Sequence, residues 1–210
     1  MHNIYLYIII IIKMNVIPLG DNCAISMILK EINKRNKSYP FDWISSVGPT
    51  PEYSSINITI KLLIELLKTH DPNHICQKLL GNSICDFNNV HNTIIFPHER
   101  GSKEEINSKY LRRINRLYED IVGNKHNNIF IIITRGYFIH KDLIEELCQI
   151  LDEILFDYKI LFISGINHDY CKEMNNIEFT YIPYDISKGW DWDYSHFRPQ
   201  LKKYLELYFI

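Results

Sequence analysis

Short, fully apolar runs alternate along the chain with longer stretches in which apolar residues recur every three or four positions. The first run, Val16, Ile17 and Leu19, reads as a buried strand closed by Gly20. Ile25, Ile28, Leu29 and Ile32 then fall at i, i+3, i+4 and i+7, which predicts a helix with one apolar face, capped by Asp21 or Asn22. The Pro-containing segment 47–51 predicts a loop, and Ile60, Leu63, Ile64 and Leu67 predict a helix over about 54–69. Residues 70–93 carry no clear period. Beyond them the pattern predicts a strand at 93–97, a helix at 104–122, a strand at 128–134 and a helix at 142–157. Strands at 159–164 and 178–183 follow, then an amphipathic segment from Pro199.

Strands that are continuous apolar runs, alternating with helices, are expected in a mostly parallel sheet covered on both faces. The expected architecture is therefore a three-layer α/β domain. No internal repeat or low-complexity linker breaks the chain, so 14–210 reads as one domain. The run Ile4 to Ile12 is too short for a membrane-spanning helix and lacks the basic and small-residue flanks of a signal peptide. Residues 1–13 read as an upstream extension of the reading frame, with Met14 as the natural start; a disordered tail or an added edge strand are the alternatives.

Composition changes this picture little. Hydrophobic residues make up 46% and charged residues 23%, and the net charge is −2, so no bulk charge recommends nucleic acid as a partner. Five cysteines, an odd number without a C-x-x-C pair, argue for reduced thiols and an intracellular setting (host cytoplasm, if the chain is viral). His70, His74, Cys76 and Cys85 fit no common zinc spacing, and no phosphate loop or dinucleotide fingerprint is present. No metal or cofactor is expected, and the sequence is silent on oligomeric state.

The candidate chemistry sits at Cys23. A cysteine between a strand end and a helix start meets unpaired backbone N–H groups and the positive end of the helix dipole, which favour the thiolate. The competing reading is a buried, inert thiol. A thiol nucleophile needs a base, and His98, just past the 93–97 strand, is the first choice, with Asp42 to orient it. Asn22, Trp43, Arg135, Trp190 and Trp192 are candidate binding residues. Arg112, Arg113 and Arg116 could hold a phosphate or carboxylate, but a solvated helix face explains them more simply.

The segment Leu19-Gly20-x-Asn22-Cys23, followed by Ser38, Pro40, Phe41, Asp42, Trp43 and Ile44, resembles a family described as putative papain-like cysteine peptidases, found in bacteria and large DNA viruses. That resemblance extends to Phe96-x-His98 and to Arg113-Ile114-Asn115-Arg116. It implies a cysteine nucleophile and a peptide or other acyl substrate. A second likeness competes with it. Gly20-Asp21-Asn22 together with Asp193-Tyr194-Ser195-His196 looks like the Gly-Asp-Ser and Asp-x-x-His blocks of SGNH esterases and acyltransferases. On that alignment the usual serine is missing, and His196 becomes the base with Asp193 positioning it. The plain alternative to the Asp-x-x-His site is a hydrophobic clasp of Trp190, Trp192, Tyr194 and Phe197; the non-enzyme alternative is a binding module on the same fold, with Tyr39, Phe41, Trp43, Trp190 and Trp192 lining a recognition pocket.

Overall fold

Four parallel strands form the centre of the molecule, in the order β1-β4-β5-β6. In the computed structural model the described residues are 14–20, 23–35, 37–42, 44–47, 54–81, 93–95, 99–185 and 196–210, with backbone only for 45–47, 81 and 93–95. The strands are β1 (Asn15–Leu19), β4 (Asn128–Thr134), β5 (Tyr158–Ser164) and β6 (Ile177–Tyr181). Two short strands, β2 (Ser45–Val47) and β3 (Thr93–Ile95), pair antiparallel to each other as a separate ribbon.

Both faces of the sheet are buried, which is why its strands read as unbroken apolar runs. Side chains alternate across it. Ile129, Ile131, Ile133, Leu161 and Ile163 point to one face, where α1 (Ala24–Glu31) and α6 (Arg198–Tyr208) cover them with Ala24, Ile25, Ile28, Leu29, Leu201 and Leu205. Ile17, Leu19, Phe130, Ile132, Ile160 and Phe162 point to the other. There they meet α2 (Ser55–Thr69), α3 (Pro72–Gly81), α4 (Lys103–Val122) and α5 (Lys141–Ile154). The register stacks these residues strand by strand: Ile17 beside Phe130 beside Ile160, and Leu19 beside Ile132 beside Phe162. The expected α/β architecture with helices on both faces is thus the observed one. Among the described residues no helix is long and apolar enough to cross a membrane.

Several boundaries differ from the sequence reading, each for a local reason. Helix α3 occupies part of the stretch that showed no period, because its buried set is only Ile75, Cys76 and Leu79. Asp71 caps it by accepting from the N–H groups of Asn73 and His74, both at 3.0 Å. Helix α5 stops at Ile154 rather than about 157, since Leu155 is extended and the Phe156 N–H turns to Lys125 O at 2.9 Å. Val47, expected in a loop, lies in β2. Helix α4 matches closely and carries a capping box between Ser102 and Glu105.

Candidate active site at the carboxyl edge of the sheet

Because all four strands run the same way, their carboxyl ends share one edge, where sites in open parallel sheets form. Cys23 stands there. It is the N-cap residue of α1, in the α-helical region at φ −74°, ψ −12°, and its carbonyl accepts from Met27 N–H at 3.1 Å. Its sulfur is in no disulfide and is partly exposed. The other described cysteines are poorer reagents. Burial raises the Cys76 thiol above its ordinary range, pushes Cys148 up to about 11 and Cys171 up to about 12.

The neighbouring strand ends are built tightly. Thr134 Oγ1 donates to Tyr137 O at 2.9 Å and accepts from Tyr137 N–H at 3.1 Å, closing the turn that holds Arg135. Gly165 follows β5, with its N–H on Thr134 O at 2.9 Å. A Cβ on Gly165 would stand 1.8 Å from Arg135 O and 2.5 Å from Tyr184 Cβ, so only glycine fits there. Ile182 N–H reaches back to Ser164 O at 2.9 Å and carries the chain over this edge. Tyr184 lies above Gly165, between the buried Arg135 guanidinium, 5.9 Å from its ring, and the His196 ring, 4.7 Å centroid to centroid. Phe197, next to His196, is fully buried in the same core cluster as Ala24 and Ile25, the residues after Cys23. Cys23, Arg135, Tyr184 and His196 thus all belong to this edge.

Asp42 is placed differently. Its carboxylate accepts from Ser26 Oγ and Tyr39 N–H, both at 2.8 Å, and pairs with Arg35. Burial pushes its pKa upward, against the pull of Arg35, the Tyr39 N–H and Ser26. Ser26 lies one turn along α1 from Cys23, so Asp42 ties the helix that begins after Cys23 to the following loop. Asn22, Trp43, His98, Trp190, Trp192 and Asp193 lie outside the described residues.

The arginines expected on a solvated face divide. Arg112 is exposed, but Arg113 is buried against Glu99 at 3.0 Å, and Arg116 donates to Ser38 O at 2.9 Å. Among the described residues no group of three histidine, cysteine, aspartate or glutamate side chains could hold a metal ion. Two further residues carry no sequence motif: Tyr184, which lies beyond a strand end, and His168. The His168 ring is buried, stacked on Phe138 with centroids 5.1 Å apart, and takes the Ile139 N–H on Nε2 at 3.2 Å. It fastens the loop after β5 to the start of α5.

Residues 14–48 match the model of a family described as "Putative papain-like cysteine peptidase". The matched segment carries β1, Cys23, α1, Asp42 and β2. No curated protein and no solved structure matches the chain, an SGNH hydrolase included.

Proposed function

We propose that the chain is a cysteine-dependent hydrolase or transferase acting on a peptide or other acyl group, with Cys23 as its nucleophile. The observation that carries this reading is the position of the sulfur. A partly exposed thiol opens a helix at the carboxyl edge of a parallel sheet, within the segment that resembles the cysteine peptidases. The dipole of α1 favours a thiolate there, and the first-turn N–H groups are oriented to receive an oxyanion.

In the proposed reaction the thiolate attacks the acyl carbon and the carbonyl electrons move to oxygen. The tetrahedral intermediate collapses to a thioester while the leaving amine or alcohol takes a proton from an imidazolium. Water, or another acceptor, then gives its proton to the imidazole and attacks the thioester, and the thiolate is released. His196 is the base this reading prefers, because its neighbour Phe197 packs in one cluster with Ala24 and Ile25. Asp193, three residues earlier, is its candidate positioning residue, and Arg135 and Tyr184 would contact the substrate. His98 is the rival base, on the family resemblance. Asp42, with both oxygens engaged by α1 and the following loop, acts as a structural anchor in this scheme.

The test is the pH profile of Cys23 alkylation by iodoacetamide, read by peptide mass spectrometry. Cys23 should react faster than Cys76, Cys148 and Cys171. His196→Gln should shift its profile toward that of an ordinary thiol, while His98→Gln leaves it in place. The reverse pattern assigns the base to His98. Slow, equal labelling of all the cysteines contradicts thiol catalysis and leaves the binding-module reading.

A further inference from the structure

On the flank of the molecule, where α1 ends, a depression of about 580 Å³ is lined by Lys30, Arg35, Lys37, Ser38 and Arg116. Among the described residues four cations and one hydroxyl face it, and no carboxylate does. Two of those cations are balanced by carboxylates behind the wall: Arg35 pairs with the fully buried Asp42, and Lys37 with Asp120. The other two are not. Lys30, on the last turn of α1, has no carboxylate partner among the described residues. Arg116, from α4, gives one N–H to the neutral Ser38 carbonyl, out of the five a guanidinium carries.

From this we infer that the depression is an anion site for a small molecule bearing a dianionic phosphate group. The uncompensated charge of two matches such a group. Arg116 supplies a planar fork suited to phosphate oxygens, and Lys30 a mobile point charge in the same lining. The walls are held in advance. Arg116 fixes the Ser38 carbonyl, and Arg35 donates to Ser38 Oγ at 3.0 Å while anchored on Asp42, so little order remains to be created on binding. The volume is that of a small-molecule site. Two simpler roles account for less. A lysine at a helix C-terminus does complement the dipole, and an arginine on a loop carbonyl does fasten a loop. Neither explains why both converge with two further cations on one hollow that no described carboxylate lines. The site is separate from the Cys23 edge and does not depend on the catalytic reading.

The test is an NMR titration of the full chain with inorganic phosphate and with phenyl phosphate, at constant ionic strength set with chloride. Saturable shifts are expected at the amides of Lys37, Ser38 and Tyr39. Lys30→Gln should weaken binding by about tenfold, the loss expected for one charge-assisted contact. Arg116→Lys, which keeps the charge but removes the fork, should weaken it as well, and Cys23→Ser should leave it unchanged. Lys30 is exposed, so its variant keeps the fold, and an otherwise unaltered spectrum verifies this. Shifts that do not saturate, or that chloride reproduces, would overturn the assignment. So would binding that survives both substitutions, or binding confined to a phosphorylated peptide.

Discussion

Gly165 shows how one atom governs this edge of the sheet. Alanine there would drive a Cβ into the Arg135 carbonyl, and backbone cannot swing aside as a side-chain tip can. Gly165→Ala is expected to cost about 1–3 kcal/mol of stability and to displace Tyr184 from Arg135. Urea midpoints and the reactivity of Cys23, followed together, check both effects. His168 yields a second prediction. The Ile139 N–H must donate to Nε2, so the neutral ring carries its proton on Nδ1 and gives it to Ile166 O at 3.3 Å. Burial among aromatic rings lowers its pKa. An unfolded chain takes up this proton below about pH 6.5, whereas the folded ring resists it. The contribution is therefore complete above about pH 6.5 and is lost as the pH falls from there toward the folded value. His168→Gln should flatten that part of the stability profile, as read from urea unfolding at a series of pH values. A slope equal to that of the parent would show that the ring titrates normally.

At the scale of elements, α1 has only eight residues and would not persist alone. Packing of Ile25, Ile28 and Leu29 against the sheet holds it, together with the Ser26 to Asp42 hydrogen bond. Ser26→Ala should cost about 1 kcal/mol. Asp42→Ala should cost about 3–5 kcal/mol, because Arg35 would keep its charge at a nearly closed site. The same pair of variants tests the role of Asp42. If it only anchors the helix, Cys23 alkylation measured well below the unfolding midpoint keeps its pH profile in Asp42→Ala. A shifted profile would return Asp42 to the catalytic machinery. Elements with a strong period were legible from sequence, as the seven-residue strand β4 and the capped helix α4 show. Helix α3 was not, since its few buried residues lie among Asn, His and Gln. Its only plain signal was Asp71-Pro72, an N-cap followed by proline at the first helical position.

For the molecule as a whole, the layers could be anticipated from two-sided apolar strands, but the strand order could not. Nothing local in β1 says that it pairs with β4, about a hundred residues later, or that β2 and β3 leave the sheet. The candidate site inherits that limit. Cys23 was visible because a strand, a glycine and a helix start meet there. The gathering of Arg135, Gly165, Tyr184 and His196 around the same edge depends on four strand ends brought together only by the fold. Asp42 stands within an aromatic motif, and its three donors explain why that motif needs a carboxylate.

Acyl chemistry at Cys23 is measured by mixing the chain with p-nitrophenyl acetate and following each cysteine-containing peptide by mass spectrometry over time. Rapid acetylation of Cys23 that then decays by hydrolysis is expected, ahead of any reaction at Cys148, with no such cycle in Cys23→Ser. Acetyl transfer to Cys23 no faster than to Cys148, or a label that never turns over, would rule out thiol catalysis at Cys23.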